Sequence, residues 1–74
     1  MSHWKKSNER KAHGHTIEII YRNKETGKLL ILHKRAYNPN SKLWGLSTEP
    51  PLKLHGYFSR KSAFRKARAV MRNA

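Results

Sequence analysis

Four basic residues, Lys61, Arg65, Arg68 and Arg72, recur at three- and four-residue spacing in the closing stretch GYFSRKSAFRKARAVMRNA, which contains no acidic residue. On an α-helix they fall within an arc of about 60° and span ~16 Å at 1.5 Å per residue. A row of that kind suits phosphates spaced along a nucleic-acid strand. It also carries a cost. Like charges at i,i+4 (Lys61 with Arg65, Arg68 with Arg72) each destabilise a helix by roughly 0.2–0.5 kcal/mol. Arg60 and Lys61 in the first turn oppose the helix dipole by a similar amount. A purely solvated face remains the alternative, although such a face usually interleaves glutamate.

Further cations could extend the same chemistry. Lys5, Lys6, Arg10 and Lys11 lie in the polar opening MSHWKKSNERKAHG. That segment reads either as a disordered basic arm that orders along a groove or as a solubilising tail. Arg22, Lys24, Lys28, Lys34, Arg35 and Lys42 fall at the expected strand ends and turns, and Tyr37 and Trp44 flank the NPNSK turn. Aromatic rings among cations stack on unpaired bases. Trp44 fits a core position better, whereas Tyr37 is a candidate base contact.

The whole composition points the same way. Seventeen Lys and Arg against four acids give a formal charge of +13, and the pI is about 10.9. Such self-repulsion is relieved by a polyanion. Other chemistries find little support. Glu9, Glu18, Glu25 and Glu49 are dispersed, Ser59 and Ser62 have no evident activating base, and no phosphate-binding glycine motif occurs. Among five histidines only His13 and His15 are close, without cysteine or carboxylate partners at ligand spacing. A non-enzymatic protein with no cofactor and no metal is expected. The absence of cysteine, of a long apolar run and of a signal-like opening fits a soluble, cytoplasmic protein, including one associated with nucleoid or ribosome.

The elements that must position these residues follow from pattern. HTIEIIYR alternates as a strand, with Ile17, Ile19 and Tyr21 on one face and Thr16, Glu18, Ile20 and Arg22 on the other. NKETGK is a hairpin loop, LLILHKRAY a second strand, NPNSK a turn and LWGLS a short third strand. Pro50-Pro51 makes TEPPLKLHG a loop or extended connector, not a central strand. A helix begins after the capping Ser59 and turns Ala63, Phe64, Ala67, Val70 and Met71 onto the sheet. The expected fold is therefore α+β: a three-stranded antiparallel sheet over 15–74 packed by one C-terminal helix, preceded by a disordered basic arm over 1–14.

Two family resemblances attach to these segments. SNERK (Ser7–Lys11), YRNKETGK (Tyr21–Lys28) and the terminal helix resemble the arm-site DNA-binding domain of phage-type tyrosine recombinases. That likeness implies a sheet in the major groove, with Arg10 and Lys11 in the arm and Arg22, Lys24 and Lys28 near the groove. The chain departs from it in its Pro-Pro connector and in having no recombinase catalytic domain, which implies a stand-alone binder of phage or mobile-element type. GKLLILHKRAYNPNSKLWGLS is similar to the first half of a Nudix hydrolase, and SAFRKARAV stands where that family's catalytic helix lies. Lys66, Arg68 and Ala69 occupy the region of its metal-binding glutamates, so hydrolysis is not implied.

The expectation is a nucleic-acid-binding protein acting mainly through phosphate contacts, with DNA slightly ahead of RNA. The alternative is a phage- or mobile-element-encoded interaction module that docks on an acidic host protein and inhibits or modulates it. No membrane partner is expected.

Overall fold

The computed structural model describes residues 3–73. Five strands, β1 (Trp4–Ala12), β2 (His15–Asn23), β3 (Leu29–Lys34), β4 (Leu43–Glu49) and β5 (Lys53–Ser59), precede one helix, α1 (Arg60–Asn73). The strands form one antiparallel sheet in chain order, β1-β2-β3-β4-β5.

The sheet thus has five strands where three were expected, and both additional strands are edges. Of the segment read as a disordered arm over 1–14, Trp4–Ala12 is β1, paired with β2 from Trp4↔Asn23 to Ala12↔His15, while Met1 and Ser2 lie outside the described residues. Its turn is the two-residue His13-Gly14, both with positive φ (52° and 78°), a geometry that matches strand twist and is easiest with glycine in the second position. Trp4 packs against the core and Lys24 N–H donates to the carbonyl of His3 at 2.8 Å, so the charged strand is fastened at its far end. Lysine and glutamate along an edge also discourage pairing with other chains. The connector read over Thr48–Gly56 is likewise corrected: Pro50 and Pro51 occupy the turn, and Lys53 onward pairs with β4. Arg35–Tyr37, expected to continue β3, is a short 3-10 turn instead.

One face of the sheet carries the core. Leu30, Leu32, Trp44 and Leu46 are buried beneath Ala63 and Ala67 of α1, with Trp4, Ile19, Tyr21, Phe58, Phe64, Val70 and Met71 around them. The two alanines let the helix axis approach β3, β4 and β5 closely. The Trp44 and Phe64 rings meet edge to face at 5.2 Å. Ser59 Oγ accepts a long hydrogen bond from Ser62 N–H at 3.4 Å at the helix start. Among the described residues, no helix covers the opposite face of the sheet.

Candidate nucleic-acid interface

Opposed residues in an antiparallel sheet point to the same side, so the register writes out the uncovered face. One row runs Arg10, Glu18, His33, Gly45 and Tyr57; the next runs Asn8, Ile20, Ile31, Ser47 and Leu54; a third begins with Lys5, Arg22, Leu29 and Glu49. Bulges at Ser7, Ile17 and His55, where one strand gains a residue on its partner, keep this register.

The first row is organised around His33. Its ring lies over Gly45, where an added Cβ would stand 2.5 Å from His33 Cε1; only glycine leaves that space. His33 Nε2 is 3.2 Å from Ser47 Oγ. Tyr37 stacks on His33 with centroids 5.5 Å apart and planes 24° apart, while Tyr57 meets it edge-on at 6.2 Å. The arginines complete the group: the Arg10 guanidinium is 5.6 Å from the Tyr37 centroid and that of Arg35 is 5.5 Å from the Tyr57 centroid.

Tyr37 reaches this position through an unusual backbone. Ala36 and Tyr37 have φ of 55° and 52°, a left-handed conformation that costs about 1–2 kcal/mol per non-glycine residue. The ring stack on His33 offsets part of that cost, as does the Tyr37 hydroxyl, which donates to Glu18 Oε2 at 3.0 Å. Partial burial, and then this bond, push the phenol above its ordinary pKa of 10.0. Glu18 is itself buried and also meets Arg10 Nη1 at 3.6 Å. Strain of this kind gathers where a side chain must be held in one place. Tyr37 and Tyr57 nevertheless remain 45% and 41% exposed.

On the other side of the molecule, α1 presents its cations in two ways. Arg60 lies 5.2 Å from the Phe64 centroid and Lys66 5.0 Å from that of Phe58; these two flank the core and cover rings. Lys61, Arg65, Arg68 and Arg72 are exposed on the outer surface. Between the start of α1 and the β1–β2 hairpin is a groove of about 570 Å³ lined by Lys34, Lys42, Trp44, Arg60 and Phe64 among others. Lys34 does not point freely into solvent: its ammonium donates to the Pro39 carbonyl at 2.7 Å and lies 5.8 Å from the Trp44 ring.

The carboxylates decide which cations are free. Glu9 holds Lys6 at 2.8 Å and Lys11 at 3.7 Å, Glu18 holds Arg10, and Glu25 approaches His3 at 3.5 Å. The hydrogen bond between Lys6 and Glu9 raises the lysine pKa and lowers that of the glutamate. Among the described residues no carboxylate pairs with Arg22, Lys24, Lys28, Lys34, Arg35, Lys42 or any cation of α1.

The sequence-predicted residues therefore divide into groups. Lys61, Arg65, Arg68 and Arg72 stand together on the helix; Arg10, Arg35 and Tyr37 meet on the uncovered face; Lys5 and Arg22 are opposed at its far end; Lys24 and Lys28 sit in the β2–β3 loop. Lys6 and Lys11 are tied to Glu9, and Lys42 is exposed at the groove. Sequence reasoning missed His33, Tyr57, Glu18 and Gly45. The sole signal for Tyr57 was a β-rich LHGYFS run, obscured by the bulge before it.

Among the described residues, no helix is long and apolar enough to cross a membrane and no three His, Asp or Glu side chains group as a metal site. No protein-family model, curated protein or solved structure matches this chain.

Proposed function

We propose that this chain is a small nucleic-acid-binding domain that holds its ligand mainly through phosphates and performs no chemistry on it. The observation that carries the reading is the separation of charge: among the described residues the ion pairs join Glu9, Glu18 and Glu25 to His3, Lys6, Arg10 and Lys11 at the β1 end of the chain, and the exposed helix row has none. A surface evolved only for solubility has no reason to concentrate like charges along ~16 Å of helix at a cost to helix stability. Phosphates repay that cost by releasing their counterions. The cations at the β2–β3 loop and on the uncovered face widen the positive surface beyond the helix.

The test is direct titration of labelled duplex DNA, single-stranded DNA and structured RNA at two salt concentrations, followed by fluorescence anisotropy. Binding to at least one of them, weakened by salt, is the expected result. Absence of binding at low salt, together with capture of an acidic protein that survives nuclease treatment, would replace this reading with a protein-interaction module.

A further inference from the structure

The uncovered sheet face has a composition that phosphate binding alone does not use. It exposes Tyr37, Tyr57 and Leu54, with Leu52 71% exposed beside them. A hollow of about 330 Å³ lies between Tyr37 on one side and Leu52 and Leu54 on the other, with His33 and Ser47 also lining it. Arginines lie over both tyrosine rings. We propose that this face is a stacking platform for the unpaired bases of a single-stranded nucleic acid, with Tyr37 and Tyr57 as the rings and Arg10 and Arg35 as the contacts to the intervening phosphates. The proposal rests on the nucleic-acid reading above and specifies which form of nucleic acid this face takes.

Three observations choose this occupant. First, the row is held rigid for a ring-on-ring contact: Tyr37 is fixed by His33 beneath and Glu18 at its hydroxyl, in a strained backbone that serves no packing in the core. Second, shape favours an open strand. Five strands at ~4.8 Å spacing make a face about 19 Å wide, which exceeds the ~12 Å major groove of duplex DNA. A splayed strand can lie across such a face and place successive bases on it. Third, charge argues against the other apolar partner available, a second copy of the chain. Two +13 molecules would bring Arg10 and Arg35 of each against those of the other, whereas a polyanion neutralises them.

The guanidinium groups do not block the platform. They are exposed, and base stacking on an aromatic ring is worth more than an exposed cation–π contact. An arriving base replaces the arginine on the ring, and the arginine turns to the phosphate. Glu18 acts as a positioning residue, since it reaches the ligand only through Tyr37 and Arg10.

The experiment compares two oligomers of about 12 nucleotides, a labelled oligothymidine and an abasic chain of the same length. The phosphates are equal and only the bases differ. The platform predicts that the oligothymidine binds about tenfold or more tightly than the abasic chain. Tyr57→Leu should weaken oligothymidine about tenfold and leave the abasic chain unchanged, while Tyr57→Phe retains the difference. Equal, salt-sensitive binding of the two oligomers, unaffected by Tyr57→Leu, would overturn the platform and leave the phosphate reading standing. Binding of neither oligomer, nor of duplex DNA or structured RNA, would remove both. Sedimentation showing a dimer that Tyr57→Leu dissociates, without any change in oligomer binding, would assign the face to a second copy and also overturn the proposal.

Discussion

On the helix side of this molecule the exposed cations stand alone: among the described residues, Lys61, Arg65, Arg68 and Arg72 have neither a carboxylate partner nor a ring stacked against them. On the uncovered sheet face, Arg10 and Arg35 each lie over a tyrosine, and those tyrosines share His33. The first surface is an exposed row of point charges along one helix. The second is an assembled group whose members constrain one another. On the proposed reading, the two surfaces serve different parts of one polymer, its backbone and its bases. They also lie on opposite sides of the sheet, so they can be broken separately.

The largest effect should come from the layer between them. Leu32 is fully buried under α1, and Leu32→Ala removes packing worth about 2–5 kcal/mol. In a domain this small, thermal unfolding followed by circular dichroism should show a much lower Tm, with both surfaces lost together. The double reversal Arg65→Glu with Arg68→Glu should instead spare the fold. It is expected to weaken binding on the order of a hundredfold at low salt and to flatten the log–log salt slope by about 2. Unchanged affinity with an intact fold would remove the helix row from the interface.

Gly45→Ala separates the faces from the other direction. The new methyl group must displace the His33 ring, an overpacking that costs about 1–3 kcal/mol. Tyr37 and Tyr57 then lose their shared support, so preference for bases over an abasic chain should fall while the helix-borne salt dependence persists. The smallest effect is electrostatic. Tyr37 ionises above 10.0 because it is partly buried and bonded to Glu18, so the folded state keeps this proton more tightly than the unfolded chain. Its contribution to stability is complete below about pH 10 and is lost as pH rises through the raised folded value. A difference absorbance titration of wild type against Tyr37→Phe should show a step above 10.0; a step at or below that value would contradict the arrangement.

The middle of the fold was legible because β2, β3 and β4 are apolar, β-rich runs separated by Gly and Asn-Pro turn signals. The edges were not. Trp4 is the only large apolar residue in β1, whose charged side chains lie along an edge, and nothing in WKKSNERKA alternates in hydrophobicity. In β5 the bulge at His55 shifts Leu54 and Tyr57 out of simple period, and the preceding Pro-Pro pair read as the end of the sheet. The same contrast governs the sites. The helix row is a local pattern with a period of 3.6 residues. The tyrosine–arginine group draws on β1, β2, β3, β5 and a turn, and only the strand register brings those members together. Missing the two edge strands meant missing the face they complete.

Whether this chain binds nucleic acid through its phosphates is decided by the salt dependence of its affinity. Neutralising about five phosphates predicts a log–log slope near −3.5 for a single strand and near −4.5 for a duplex. Affinity that stays flat as salt is raised would contradict the account.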